Sequence, residues 1–210
     1  MRLLRLAVAC LAFAFLNGPA AAAPENAYQP LNPPQPTVSG ARVEVLEIFW
    51  YGCPHCYALE PYLEKWKETK PEDVEFVRVP AVLNRTWIPH ARAYYTAQKL
   101  GVLDKIHSQL FNALHRERKS VYTDAEIRKF FVEQGVSGDD FDRVYNSHEV
   151  DTRMKQALVI ARGAKITGVP AIIISGKYMT SGPLAGSYEG IIEVIDTLVA
   201  REREAAAPAN

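Results

Sequence analysis

Net charge is the first thing missing: 24 basic residues stand against 24 acidic ones in a chain of 210. No positive excess is available to track a phosphate backbone, so nucleic acid is not an expected partner. Cysteine is scarce, with three residues, one of which (Cys10) lies in the first ten. The five histidines, His55, His90, His107, His115 and His148, show no close pair at ligand spacing. A structural zinc usually takes four nitrogen or sulfur ligands, so these residues argue against a metal site. After the N-terminus there is no further apolar run of membrane-spanning length. What is present is ordinary: 48% hydrophobic and 23% charged residues. Those proportions suit a soluble globular protein and exclude a chain disordered throughout.

The first residues read as a targeting segment. Arg2 and Arg5 precede the apolar run Leu6 to Leu16, and Ala20 to Ala23 supply small residues for cleavage. The run is too short for a spanning helix, so a signal peptide over 1–22 is expected. The alternatives are an uncleaved anchor and a lipoprotein-type cleavage at Cys10. Cleavage removes Cys10, Arg2 and Arg5, leaving Cys53 and Cys56 and an excess of two acids. Export would place the two remaining thiols in an oxidising compartment. Residues 23–41 hold Pro24, Pro30, Pro33, Pro34 and Pro36 and read as a loose, extended arm.

From Val43 to Tyr51 the chain is rich in β-branched and aromatic residues, as expected of a strand covered on both faces. Gly52 breaks it, Pro54 suits the first turn of a helix, and helical spacing follows to Lys70. Val74 to Val79 reads as a second strand, with Val74, Phe76 and Arg78 on one face. Residues 90–165 carry almost no strand signal. Helices are expected over 90–100, 103–115, 139–146 and 149–165, with another opened by the capping box Thr123-Asp124-Ala125-Glu126. A hairpin over Ala171–Thr180 and a helix over Ile191–Glu202 close the pattern. The order is β-α-β, a helical block, then β-β-α. We divide it at 42–88, 89–163 and 164–204, with a flexible tail over 205–210. Trp87, Tyr94 and Tyr95 read as core of the helical block, the alternative being that they line a groove.

Cys53-Pro54-His55-Cys56 lies where the first strand gives way to a helix. The spacing alone also suits half a zinc site or a structural disulfide, although so short a loop would stabilise little. The redox reading has a physical basis. Unpaired N–H groups and the helix dipole favour a thiolate at a helix N-terminus, and the thiolate is the reactive form. Cys53 is expected just before the helix with its sulfur exposed, and Cys56 within the first turn and more buried. His55 can hydrogen-bond or attract the thiolate, the alternative being a solvent-facing helix residue. Glu47 is a lone charge in an apolar strand: either an edge-facing acid, or a buried one with a raised pKa.

The run Glu47-Ile48-Phe49-Trp50-Tyr51-Gly52-Cys53-Pro54-His55-Cys56-Tyr57, with Gly168-Val169-Pro170-Ala171 and Ser175-Gly176-Lys177-Tyr178, closely resembles the DsbA family. These are periplasmic thiol–disulfide interchange proteins of the thioredoxin superfamily, and the resemblance covers most of the mature chain. It implies an α/β, thioredoxin-like fold with a large all-helical insertion. It implies that Cys53 is the nucleophile and Cys56 its buried partner in a redox-active disulfide, with no other cofactor. It places Glu47 beneath Cys56 and makes the Val169–Pro170 bond cis, with the Val169 backbone pairing with an extended substrate. The implied function is donation of disulfides to newly exported, cysteine-containing proteins in the periplasm. A membrane quinone-linked re-oxidase of the DsbB type would be the second partner, and a monomer is expected. The nearest rival is a disulfide isomerase or reductase on the same fold; a peptide-binding chaperone is a more distant one.

Overall fold

The computed structural model describes residues 24–40 and 43–206. The signal-peptide span 1–22, with Cys10 and the cleavage position, lies outside the described residues, as do 207–210. Strand β1 is Gln29–Pro30, β2 Val43–Phe49, β3 Val74–Pro80, β4 Ala171–Ile174 and β5 Tyr178–Ser181. They form one sheet in the order β1-β5-β4-β2-β3. Only β2 and β3 are parallel; the other neighbours run antiparallel. The helices are α1 Pro54–Thr69, α2 Ile88–Lys99, α3 Leu103–His115, α4 Asp124–Glu133, α5 Gly138–Tyr145, α6 His148–Gly163, α7 Gly182–Ala185 and α8 Tyr188–Ala206. This is the thioredoxin-like sheet with helices α2 to α6 inserted between β3 and β4.

Strand alternation sorts the side chains into two cores. Val45, Ile172 and Ile174 pack against Leu59, Leu63 and Trp66 of α1 and against Ile191, Ile195 and Leu198 of α8. Leu46, Ile48 and Ile173 join the other core with Phe111, Phe131 and Phe141 of the insert. β2 is thus buried on both faces, which is why its sequence is almost continuously apolar. Residue propensity closes the insert helices. The Thr123–Glu126 capping box is formed at α4, and Ser137 and Ser147 cap α5 and α6. Tyr94 and Tyr95 are buried, and Trp87 is partly covered.

One expectation fails at the arm, which is docked rather than loose. Gln29 and Pro30 pair with Met179 and Tyr178. Leu31 N–H donates to Lys177 O and Gln35 N–H to Gly176 O, both at 2.7 Å. Ala27 is buried, and its carbonyl accepts the Thr180 hydroxyl at 2.7 Å. The prolines do not prevent this, because proline is tolerated on an edge strand where its missing N–H is not needed. The free edge of β5 provides the partner. At the other end, α8 continues to Ala206, so Ala205 and Ala206 are helical rather than part of a tail.

Thr180 tests the docked arm. Thr180→Val keeps the shape but leaves the buried Ala27 carbonyl unpaired, which costs about 1–3 kcal/mol. Urea denaturation should register that loss. Unchanged stability would mean that the arm does not hold this position in solution.

Candidate active site

β2 ends at Phe49, and a turn carries the chain into α1. The turn closes with the Cys53 N–H donating to Trp50 O at 3.0 Å. Cys53 is the N-cap of α1, and the Tyr57 N–H donates to its carbonyl at 3.1 Å. Pro54 occupies the first helical position, where it sacrifices no intrahelical bond. Gly52 is required for space. A Cβ there would lie 2.3–2.7 Å from the Trp50 indole, which is itself held by stacking on Trp87 at 4.4 Å and 6°.

Cys53 and Cys56 are both free thiols in this structure, so it represents the reduced pair. Cys56 is fully buried. Cys53 is only 7% exposed, which corrects the expectation of an open sulfur. The cover comes from a second loop, unrelated to Cys53 in local sequence. The Val169–Pro170 peptide is cis, and Val169 O lies 3.4 Å from Cys53 Sγ.

The two thiols ionise in opposite directions. A hydrogen bond from the Cys56 side chain pulls Cys53 from an ordinary 9.0 down to about 6. Partial burial opposes the shift, while the backbone amides of Cys56 and His55 and the His55 imidazole add to it. Burial, followed by the neighbouring Cys53 sulfur, pushes Cys56 well above the usual thiol value. The S–H of Cys56 therefore donates to the Cys53 thiolate. Because the folded value of Cys53 is depressed, the reduced state gains stability as pH rises from about 6, and the gain is complete above about 9.

Beneath the pair lies a buried charge cluster. Glu47 is 0% exposed, which rules out the edge-facing alternative. The parallel register sets it opposite Arg78, whose Nε donates to Glu47 Oε2 at 2.8 Å. Oε1 of Glu47 is buried with no partner. Burial raises this carboxyl from 4.5 to about 7 against the opposing pull of Arg78. Arg78 also reaches both Glu60 oxygens at 3.0–3.1 Å and Glu64 Oε1 at 2.9 Å. His55 sits at the opposite, open end of the site. Its Nδ1 is 3.0 Å from the Tyr188 hydroxyl of α8. A groove of about 750 Å³ opens along the cis Val169–Pro170 peptide, lined by His55, Val169, Pro170, Met179 and Tyr188, among others.

Of the six residues singled out from the sequence, Cys53, His55 and Cys56 share the start of α1, Val169 O lies 3.4 Å from Cys53 Sγ with Pro170 next in the chain, and Glu47 is linked to Cys56 only through the charge by which it raises that thiol's pKa. Sequence reasoning missed Glu60, His107 and Tyr51. Glu60 was within reach, since it follows Cys56 by four residues and shares its helix face. His107 and Tyr51 meet only through the tertiary fold. Among the described residues, no group of three or more His, Cys, Asp or Glu is disposed to hold a metal.

Comparison with known proteins places this site in context. A family model described as a DSBA-like thioredoxin domain matches residues 88–185. The chain is 38% identical over 202 residues to the thiol:disulfide interchange protein DsbA of Pseudomonas aeruginosa, covering 94% of this chain and 96% of that protein. It is 40% identical over 201 residues to the protein of the same name from Bordetella parapertussis, covering 95% and 96%. The crystal structure of Pseudomonas aeruginosa DsbA superimposes with a TM-score of 0.82 at 38% identity, over 86% of this chain and 94% of that one. That of the oxidoreductase DsbA from Xylella fastidiosa gives 0.78 at 34%, over 84% and 95%.

The hydrogen bond between the two sulfur atoms is directly testable. Cys56→Ala removes its donor, and a bond to a charged group is worth about 1.5–3 kcal/mol, or roughly one to two pK units. Titrating the Cys53 thiolate by ultraviolet absorbance should show its midpoint rising by about that much. An unmoved midpoint would mean that the backbone amides alone stabilise the anion.

Proposed function

This chain belongs to the DsbA family of thiol:disulfide interchange proteins, and from that premise we propose that it is an exported dithiol oxidase acting through Cys53. That it is a disulfide oxidoreductase follows from the family; the residue roles, partners and compartment are our reading.

In the oxidised enzyme Cys53 and Cys56 form a disulfide. A substrate thiolate attacks the Cys53 sulfur and the Cys53–Cys56 bond breaks, so that Cys56 departs carrying the electron pair. Cys56 is the more basic sulfur and takes up a proton. Glu47 is suited to supply it, being buried below with a carboxyl that ionises at about 7. A second substrate thiolate then attacks the substrate sulfur of the mixed disulfide, and Cys53 leaves as a thiolate. The substrate loses two electrons and gains a disulfide; the enzyme becomes the dithiol. The low Cys53 value makes it a good leaving group and favours this direction. Each unit by which its pKa lies below the solution pH stabilises the reduced pair and raises the potential of the couple by roughly 30 mV, making the disulfide more oxidising.

The Val169 backbone and the groove beside it suit an extended peptide that adds to the chain as a strand. Such pairing reads few side chains, in keeping with many cysteine-containing substrates newly arrived in the periplasm. The leader-like pattern at residues 1–22 supports export, and no described helix is long and apolar enough to cross a membrane. Re-oxidation requires an electron acceptor, which we assign to a membrane quinone-linked enzyme of the DsbB type. The working disulfide needs no external cofactor, and we read the protein as a monomer.

The single observation that carries the reading is geometric: Cys53 stands at the N-cap of α1 with its sulfur 3.4 Å from the Val169 carbonyl, and Cys56 is fully buried three residues on. Equilibration with glutathione tests it: the pair should remain largely reduced under conditions in which ordinary structural disulfides form. Cys53→Ser should abolish oxidation of a dithiol peptide, whereas Glu47→Gln should slow it and change its pH profile near 7. A strongly reducing couple would instead assign the protein to the reductase or isomerase class.

A further inference from the structure

His107 and the turn before Cys53 contain a feature that the disulfide chemistry has not used. His107, from α3 of the insert, is buried. Its Nδ1 is 2.9 Å from the Tyr51 hydroxyl and its Nε2 is 3.1 Å from Glu60 Oε2. Tyr51 is itself 0% exposed, and its hydroxyl has no other hydrogen-bond partner among the described residues. A buried phenol must place its proton somewhere, and Nδ1 is the acceptor available. The Tyr51 O–H therefore donates to Nδ1. The proton of the neutral imidazole must then be on Nε2, which donates to Glu60 Oε2. Burial, the largest influence, and the nearby Arg78 hold the imidazole neutral, with its pKa lowered to about 3.

This tautomer separates the two buried acids. Burial raises Glu47 and Glu60 alike to about 7, so burial alone does not say which of them carries a proton. The donors do. Glu60 accepts from Arg78 at both oxygens and from His107 at Oε2. Glu47 accepts one bond, at Oε2, and its Oε1 has none. Hydrogen bonds to the charged form favour ionisation, and an unpaired buried oxygen favours protonation. The charged and titratable groups around the pair are Arg78 of β3, Glu64 and Lys67 of α1, His107 of α3, Tyr94 of α2, and Tyr51 and Cys56 beside the turn. Among them only Arg78 and His107 donate to either carboxylate.

We propose that His107 is a positioning residue that keeps Glu60 ionised and thereby leaves the proton shared by the two acids on Oε1 of Glu47. The inference rests on the reading of Glu47 as the proton source for Cys56. It deepens that reading by naming the residue that selects this acid over its neighbour. The all-helical insert then contributes directly to redox chemistry through a single hydrogen bond to a carboxylate of α1.

Side-chain carboxyl NMR on the reduced protein decides the matter, with Glu47→Gln and Glu60→Gln used to assign the signals. The expected result is that the signal lost in Glu47→Gln titrates near 7 and the signal lost in Glu60→Gln titrates lower. In His107→Leu the Glu60 midpoint should rise by at least about one unit, a tenfold change in its ionisation constant, and His107→Gln should restore it. A Glu60 midpoint above that of Glu47 in the unsubstituted protein would overturn the proposal, as would a Glu60 midpoint unmoved in a folded His107→Leu. Should His107→Leu fail to fold, the two assignments in the unsubstituted protein still decide. The relay itself fails separately: a Glu47→Gln protein with an unchanged pH profile for dithiol oxidation would remove the role of Glu47 while leaving the assignment of the proton intact.

Discussion

The structure depends on an inequality between two neighbouring thiols, one at the N-cap of α1 and the other buried in its first turn. Cys56 is buried in the first turn of α1, where burial favours its protonated form, and Cys53 at the helix mouth is the more readily ionised of the two. Each condition reinforces the other: a neutral Cys56 is a donor, and an anionic Cys53 is its acceptor. Oxidising the pair would destroy the favourable anion, so the reduced state is the comfortable one. Transfer of the disulfide to another protein is driven by that preference. A symmetric pair of half-exposed thiols in the same short motif would have no such direction.

The surrounding fold maintains the inequality. β2 is an internal strand, between β4 and the edge strand β3, and Glu47 near its end is fully buried. α1 starts after a short turn from β2, with Cys53 at its N-cap beside the backbone amides of His55 and Cys56. The loop before β4 returns across the sheet and lays Val169 against the sulfur. The helical insert completes the arrangement from above. His115 Nε2 donates to Tyr51 O at 2.7 Å, and the Tyr57 hydroxyl donates to Asn112 at 2.9 Å. Phe111 packs among Phe49, Tyr51 and Tyr57. The insert therefore clamps the turn before Cys53 as well as roofing one face of the sheet.

Much of this was legible in the residues. Continuous apolarity announced β2 as a strand covered twice, and the break at Gly52 with Pro54 located the helix that follows. Thr123 and Glu126 marked the start of α4. Those signals are local, since each depends on near neighbours in the chain. The misreadings concern long-range partners. Prolines made residues 24–36 look detached, although pairing depends on whether an edge is vacant, and β5 offers one. Cys53 looked exposed because its cover arrives from Val169, more than a hundred residues away. Arg78 was placed on the correct face, but its ion pair with Glu47 needed the register between β2 and β3. His107 carried no signal at all, because an isolated histidine in an amphipathic helix looks the same whether or not it meets a tyrosine.

The direction of disulfide transfer rests on the charge state of one atom, and absorbance of the thiolate reports it without an assay or a partner. Titration of the reduced protein should show a midpoint near 6 that disappears in Cys53→Ser. A midpoint near 9, the value of an unassisted thiol, would contradict the account, because neither sulfur would then have reason to prefer the reduced state.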